Sequence, residues 1–329
     1  KVPARTGYVN QGWSSKKNSE KATAKAKCTV NKNITLYAVQ KKAVQLTFHR
    51  CDGSTWQKTT LAKGSSYSLP GVRDAEGYTF MGWSTKPMQS VSPQYEAEEK
   101  ITVNGNVDLY AVVFNRTTET DLTEDQLPQV DIYKYKQVIF VGDSRTEFME
   151  NVLTGMGESA TKNVKFVCSA GKGLDWFTTT GWAQLYSIVQ HDSNSILSKK
   201  TAVIFNFGVN DLSKSADYAE YYNWIAPQLK SKGCELYFMS VNPVNRLMLP
   251  NAGRADRSEA AVRSFNQYMK ANLSSAYTYI DMYSYLKSTG YSFASNHYGT
   301  GTVDDGLHYT TRTYKRIFAK CMDSLRVPA

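Results

Sequence analysis

The segment QVIFVGDSRT, residues 137–146, combines an apolar run with a turn. The run predicts a buried strand, and the glycine and aspartate that follow predict a sharp change of direction into a helix. Ser144 is then expected at the corner between strand and helix. At such a corner the hydroxyl projects from the sheet, and the serine backbone N–H lies at a helix N-terminus, where negative charge is stabilised. The alternative is an ordinary N-capping serine.

Similar apolar runs recur after this segment and alternate with helical patterns. Strands are predicted at 137–141, 164–168, 202–207, 235–241 and 277–281, and helices at 217–230, 258–273 and 311–325. This alternation over about 200 residues predicts a parallel sheet covered by helices on both faces. Ligands bind such sheets beyond the carboxyl ends of the strands, so the residues that follow each strand are the candidate site.

The second and third strands end in polar or glycine-bearing loops. After the second comes CSAGKGLDW, residues 168–176, where backbone can approach a ligand closely. This loop matches neither the dinucleotide nor the Walker pattern, so it gives no support to nucleotide binding. The third strand ends in FGVND, residues 207–211. The side chain of Asn210 can point an N–H at the same place as the Ser144 amide, although asparagine in a turn is commonly only a turn former.

Asp305 and His308 lie three residues apart, just before the last predicted helix. In a turn or a first helical coil that spacing puts both on one side, so the carboxylate accepts from one ring nitrogen while the other nitrogen faces outward. Capping and surface polarity are the alternative for a single pair of this kind. Of the four histidines, only His308 is expected to have a carboxylate partner.

These residues together supply the groups that acyl transfer needs. A serine is a poor nucleophile until a base takes its proton, and the base needs an orienting carboxylate. The tetrahedral oxyanion needs donors that are already in place. No metal or organic cofactor is required for this chemistry, so we expect none.

The ordered set G-D-S, a glycine-bearing second block, G-x-N-D and D-x-x-H resembles the SGNH (GDSL-type) hydrolase superfamily over about residues 136–325. The resemblance implies a flavodoxin-like three-layer α/β/α fold and serine esterase or acetyl-transfer chemistry. By block, it implies Ser144 as nucleophile and first oxyanion donor, and Asn210 as a side-chain donor. It also implies His308 as the base, with Asp305 orienting it.

The second oxyanion donor of this superfamily is expected to be a glycine N–H. We predict Gly173, because it precedes Leu-Asp-Trp, with Gly171 as the alternative. The sequence departs from the commonest pattern in having Arg145 after the serine and Val209 where threonine is frequent. Neither change removes a catalytic group, but Val209 leaves the substrate contacts near the third block open.

A repeated pattern occupies the first 113 residues. GYVNQGWS at 7–14 recurs as GYTFMGWS at 77–84, and both copies close with LYAV. Short β-forming runs punctuated by glycine predict small β-rich modules, in which the Gly-Tyr and Gly-Trp pairs supply a tight turn and a buried aromatic anchor. The pattern resembles the Listeria-Bacteroides repeat, similar to internalin B-repeats. That resemblance implies a β-grasp-like fold and display at a bacterial surface.

The predicted domains follow from these patterns. A partial repeat spans residues 1–41, and its front half is absent. A complete repeat spans 42–114, a polar and acidic linker spans 115–131, and the SGNH hydrolase domain spans 132–329.

Composition narrows the function classes further. With 41% hydrophobic and 21% charged residues the chain is an ordinary globular one, and it has no apolar run of the ~18 residues that a membrane span needs. The start is polar, so we expect a secretion signal either upstream of this sequence or not at all. The net charge of +10 is concentrated in residues 1–50, which hold 11 basic and one acidic side chain. These lysines do not interleave with stacking aromatics, so we expect an anionic cell wall or no partner, and no nucleic acid.

The five cysteines, Cys28, Cys51, Cys168, Cys234 and Cys321, are widely spaced and give no zinc pattern. We therefore predict no metal site.

The substrate expected from these features is an acetylated glycan, cleaved by a carbohydrate O-acetyl esterase. Trp176 and Tyr309 lie near the predicted site and are candidates to stack on sugar rings, with packing as the alternative. Two other functions stay open: a carbohydrate O-acetyltransferase using the same residues, and a surface adhesin with a secondary hydrolase domain.

Overall fold

The computed structural model describes residues 1–24, 31–131, 134–192, 200–249, 257–298 and 301–325. The chain divides into two compact units. The first contains Lys1–Pro70, Gly82–Gln89 and Pro93–Val113, and the second contains Gly71–Met81, Ser90–Ser92 and Phe114–Ala329. Within the described segments, no helix is long and apolar enough to cross a membrane.

The repeat region forms short strands where the Thr, Tyr, Val and Phe runs lie. In chain order these are β1 (Tyr8–Ser14), β2 (Tyr37–His49), β3 (Thr55–Ala62), β4 (Ser65–Ser68), β5 (Tyr78–Ser84), β6 (Lys100–Val103) and β7 (Val107–Asn115). The first half of β2 pairs antiparallel with β1, and its second half pairs antiparallel with β3 and parallel with β7. The boundary predicted between residues 41 and 42 therefore falls inside one continuous strand.

The Gly-Trp pair of the second repeat forms a core anchor. Trp83 is fully buried, its ring lies 4.8 Å from that of Phe48, and its indole N–H donates to the Pro70 carbonyl at 2.8 Å. Gly82 has a φ of +142°, and a Cβ there would lie 2.5 Å from the Tyr95 carbonyl oxygen. The prediction of a buried aromatic anchor is confirmed at Trp83, whereas Gly82 lies within β5 and not in a turn.

A parallel sheet organises the second unit. Its strands are β8 (Tyr135–Gly142), β9 (Val164–Cys168), β10 (Lys200–Asn206), β11 (Cys234–Met239) and β12 (Tyr277–Ile280), and the spatial order is β12-β11-β10-β8-β9. All neighbouring pairs are parallel. Each predicted strand is present, with ends within two residues of the prediction, because fully buried strands have a strong apolar signal.

Helices cover both faces of this sheet. They are α1 (Ser144–Thr154), α2 (Leu174–Trp176), α3 (Trp182–Asp192), α4 (Ser215–Ser231), α5 (Glu259–Asn272), α6 (Met282–Thr289) and α7 (Thr311–Ser324). Successive strand residues point to opposite faces. Ile139 and Val141 join the buried cluster with α3, α4 and α5, whereas Phe140 between them lies 5.8 Å from Phe318 of α7. The predicted three-layer α/β/α fold is confirmed.

The strand order places a crevice at one edge of the sheet. From β8 the chain moves to β9 on one side and then returns to β10 on the other side. The loops after β8 and β10 therefore diverge, and the space between them is where ligands bind in sheets of this type. Ser144 follows β8, and Asn210 follows β10.

Two segments differ from their predictions. Asp305 and His308, expected in a turn or a first helical coil, lie in no helix but in a turn within an antiparallel hairpin of β13 (Phe293–Tyr298) and β14 (Gly301–Tyr309). The predicted linker, 115–131, belongs to the second unit by its contacts. It is held there because the buried Glu119 accepts hydrogen bonds from Ser292, Thr313 and Arg316.

Candidate active site

Ser144 begins α1 directly after β8. The preceding Asp143 is the N-cap, and its carboxylate accepts from the Arg145 backbone N–H at 3.0 Å. The structure therefore excludes the alternative of Ser144 as a capping residue. Gly142 makes the turn possible, because a Cβ there would lie 2.0 Å from the Thr146 hydroxyl oxygen. The serine hydroxyl is left free for other contacts.

A continuous hydrogen-bond chain joins Ser144, His308 and Asp305. His308 Nε2 lies 2.9 Å from Ser144 Oγ, and its Nδ1 lies 2.5 Å from Asp305 Oδ2. The other carboxylate oxygen, Oδ1, accepts from the backbone N–H groups of Leu307 at 2.8 Å and His308 at 2.7 Å. The Asp305 side chain is only 3% exposed. The carboxylate is therefore fixed in place, and one of its oxygens is directed at the imidazole.

A bulge in the β13–β14 hairpin creates this geometry. Phe293 pairs with Tyr309 and Ser295 with Asp304, so a single residue, Ala294, faces the four residues 305–308. The extra residues fold into a turn that the Asp305 carboxylate closes. Gly306 in this turn has a φ of +66°, and a Cβ there would lie 2.4 Å from the Asn245 carbonyl oxygen. The spacing of three residues thus brings the two groups together through a bulge and not through a helix.

Asn210 is held at both ends of its amide. Its Nδ2 donates to the Lys172 carbonyl at 2.7 Å, and its Oδ1 accepts from Arg257 Nη2 at 2.6 Å. An amide nitrogen carries two hydrogens, and Lys172 takes one of them. The assignment of the two amide ends follows from these partners, since only Oδ1 can accept from a guanidinium.

Gly173 lies next to Asp211, the residue after Asn210. Leu174 N–H donates to Asp211 Oδ2 at 2.9 Å, and a Cβ on Gly173 would lie 2.3 Å from the same oxygen. Gly171 differs, because a Cβ there would meet nothing within 4 Å. The close packing of the β9 and β10 loops therefore requires glycine at 173, whereas at 171 only the positive φ of +71° favours it.

The Asp143 carboxyl interacts electrostatically with two residues of the site, His308 and Arg257. Burial raises the pKa of its carboxyl to about 6, against the lowering effects of the Arg145 backbone N–H and of the charges on Arg145, His308 and Arg257. Its Oδ2 accepts no hydrogen bond from the described part of the chain. At neutral pH the carboxyl is largely ionised, and its charge lies near both the histidine and the arginine that contacts Asn210.

Arg145 connects the nucleophile to the segment that carries the base. Its buried guanidinium donates to the backbone carbonyls of Leu307 at 3.0 Å, Asn242 at 2.9 Å and Pro243 at 2.9 Å. Leu307 immediately precedes His308, so this arginine ties the first turn of α1 to the bulge. The departure from the commonest motif at this position thus has a structural role.

The predicted substrate-binding aromatics are buried or packed in the core. Tyr309 is 2% exposed, its hydroxyl donates to the Pro243 carbonyl, and the Arg145 guanidinium lies 5.2 Å from its ring. The prediction that Tyr309 stacks on a sugar is therefore wrong, because its ring faces no solvent. Trp176 is half-buried and packs with its ring 6.1 Å from that of Phe207.

Sequence reasoning missed two residues beside this site. The exposed ring of Phe148 lies 4.6 Å from the His308 ring, and Arg257 contacts Asn210. Phe148 lies one turn after Ser144 on the predicted helix, and that spacing was its only signal. Arg257 has no local signal, because its partner is 47 residues away.

Two other predictions concern histidines and cysteines. His49, which was expected to have no carboxylate partner, lies with Nε2 2.8 Å from Asp108 Oδ1 in the repeat region. Cys28 lies outside the described residues, and the four described cysteines form no disulfide bond with one another. Among the described residues, no group of three or more His, Cys, Asp or Glu side chains has the arrangement of a metal site.

The chain matches two family models. Residues 138–321, more than half of the chain, match the GDSL-like lipase/acylhydrolase model, and residues 1–39 and 45–112 match that of the Listeria-Bacteroides repeat domain. The chain therefore belongs to the GDSL-like lipase/acylhydrolase family. It is an ester-bond hydrolase with an SGNH-type fold, preceded by Listeria-Bacteroides repeats.

Several solved structures are similar to part of this chain. A protein of Bacteroides fragilis NCTC 9343, provisionally assigned as an acylhydrolase, is 16% identical and matches over 61% of this chain and 92% of its own, with a TM-score of 0.39. The acetyl xylan esterase AlAXEase is 11% identical over 58% of this chain and 100% of its own, with a TM-score of 0.38. The C-terminal catalytic domain of the Streptococcus pneumoniae peptidoglycan O-acetyltransferase A is 17% identical over 58% of this chain and 92% of its own, with a TM-score of 0.35. A search of curated proteins found no match.

Proposed function

We propose that this hydrolase cleaves its ester through an acyl-enzyme on Ser144, and that the ester is an O-acetyl group on a carbohydrate. The observation that carries the first part is the hydrogen-bond chain from Ser144 Oγ through the His308 ring to Asp305. In this proposal His308 Nε2 takes the hydroxyl proton while Oγ attacks the acetyl carbonyl. Asp305 keeps the Nδ1–H in place and stabilises the imidazolium that forms.

The tetrahedral intermediate then collapses with proton transfer. His308 returns its proton to the oxygen of the departing alcohol, which leaves the acetyl group on Ser144. The same imidazole next takes a proton from water, and the water attacks the acyl-enzyme. Acetate leaves, and the serine recovers its proton. No metal or organic cofactor takes part in these steps as we propose them.

We assign the oxyanion donors to the Ser144 backbone N–H, the Gly173 backbone N–H and the second N–H of Asn210. The Ser144 amide lies at the start of α1, where backbone N–H groups and the helix dipole favour negative charge. The two partners of the Asn210 amide support its assignment, because they fix which end of the amide is a donor. The positive charge of Arg257 on Oδ1 also polarises the N–H groups at the other end.

The acetylated glycan is proposed from the combination of domains. The repeats of this chain resemble those of proteins displayed at bacterial surfaces. We therefore propose an extracellular or cell-surface location with wall glycans nearby. The basic excess of residues 1–50 suits contact with an anionic wall. Under this proposal the repeats hold the enzyme at its substrate.

Acetate release from a panel of acetylated glycans tests this function. The panel contains acetylated xylan, chitin oligomers carrying added O-acetyl groups and O-acetylated peptidoglycan, beside p-nitrophenyl acetate, butyrate and octanoate. We expect acetate from at least one glycan, and a kcat/KM that falls as the acyl chain lengthens. The Ser144→Ala protein gives the background. Preference for octanoate with no acetate from any glycan would contradict the proposal. Acetyl groups recovered on an added oligosaccharide instead of in water would show a transferase.

A further inference from the structure

Phe148 is an exposed aromatic residue at the mouth of the site. It lies four residues after Ser144 on α1, so both side chains are on the same face of that helix. Its ring centroid is 4.6 Å from that of His308 with the planes tilted by 35°. Phe148 is 40% exposed, whereas Met149 and Leu153 on the same helix are buried. One face of the ring thus covers the base, and part of it stays open to solvent.

The proposed reaction fixes which part of the ester lies on this side. His308 Nε2 delivers its proton to the leaving oxygen, so that oxygen must come within hydrogen-bond distance of the ring. The carbonyl oxygen points instead to the donors on α1 and in the loops after β9 and β10. The part of the ester beside His308 is therefore its alcohol. On α1, the exposed residue next to His308 is Phe148.

We propose that the exposed part of the Phe148 ring is a platform on which the alcohol portion of the ester stacks, and that this alcohol carries a saturated ring with a C–H face, such as a sugar. The proposal rests on the proposed function and gives that site an alcohol specificity. An aromatic face in contact with a saturated ring buries apolar surface on both partners and fixes the distance of the saturated ring from the aromatic one. The platform acts on substrate binding, so it contributes mainly to KM.

A role in shielding His308 from water is the competing explanation, and it makes a different prediction. Shielding acts on the base, so its loss would slow the hydrolysis of every ester to the same extent. A platform affects only esters whose alcohol reaches the ring. Two acetates with different alcohols therefore separate the two roles, because the acyl group and the chemistry are the same.

The experiment compares Phe148→Ala, Phe148→Tyr and wild type on ethyl acetate and on an O-acetylated methyl glycoside. We expect Phe148→Ala to lower kcat/KM for the sugar ester roughly 5- to 10-fold through KM, the scale of one aromatic contact, and to change ethyl acetate turnover less than about twofold. Phe148→Tyr keeps the flat ring and should retain the sugar-ester activity. Tyr268→Ala on α5, which removes an aromatic residue of 39% exposure, is the matched control and should change neither ester.

Equal loss on both esters, or no loss on either, would overturn the platform. Wild-type enzyme that cleaves ethyl acetate but no sugar ester would also overturn it, while leaving the Ser144 esterase mechanism intact. Wild-type enzyme that cleaves neither ester would contradict the proposed function itself, and the platform with it. The melting temperature of each variant shows whether a loss of activity reflects a loss of fold.

Discussion

Ser144→Ala is expected to lower kcat for p-nitrophenyl acetate by about 10⁵- to 10⁶-fold, the scale found when the nucleophile of a serine hydrolase is removed. The hydroxyl is the only protein group in the proposed mechanism that forms a covalent bond to the acyl carbon. Without it, the oxyanion donors and substrate binding leave a small residual rate. Because Ser144 Oγ contacts His308 and does not cap α1, we expect the melting temperature to change little.

The control for this variant is Ser231→Ala, which removes a hydroxyl from the exposed end of α4. That protein should hydrolyse the ester at the wild-type rate. Hydrolysis by Ser144→Ala at a rate within tenfold of wild type, after a second purification to remove contaminating esterases, would refute the assignment of the nucleophile.

Asn210→Ala is expected to lower kcat roughly 100- to 1000-fold, the effect of losing one oxyanion donor in a comparable site. The donor acts on charge that develops only in the transition state, so KM should change little. The variant also leaves Arg257 Nη2 without its Asn210 partner, and some loss of stability is expected. Steady-state kinetics and thermal unfolding, measured together, separate the two effects.

Asn223→Ala gives a matched comparison for Asn210→Ala. Its side chain amide also has a partner at each end, the Asn272 carbonyl and the Ser274 N–H, but neither partner is a site residue. We expect a loss of stability with kcat unchanged. An Asn210→Ala variant that behaves like Asn223→Ala, with lower stability and normal kcat, would remove Asn210 from the oxyanion hole.

The fold was predictable because its signals are local. Each strand of the parallel sheet is an apolar run bounded by turn residues, and each of the three predicted helices has the matching period. The strand order itself also restricts where polar residues can meet. Ser144, Asn210, Asp305 and His308 could therefore be proposed as one site from their positions at the ends of these elements.

The predictions from sequence that were wrong all concern contacts between segments that are distant in the chain. The bulge at residues 305–308 depends on pairing with β13, and no local sequence pattern predicts that pairing. Tyr309 follows His308 immediately, but in the hairpin it points into the core under Arg145. The segment 115–131 is polar and has no apolar period, so its sequence suggests a free linker, whereas Glu119 finds partners more than 170 residues away. Such partners become visible only when the chain is folded.

Covalent trapping of the nucleophile tests the central claim most directly. Intact-mass spectrometry after treatment with a fluorophosphonate, followed by peptide mapping, is predicted to show one adduct per chain, located on Ser144, with activity lost in proportion. His308→Ala protein should react far more slowly, because the hydroxyl then lacks its base. An adduct on another residue, or full loss of activity without modification of Ser144, would contradict the account.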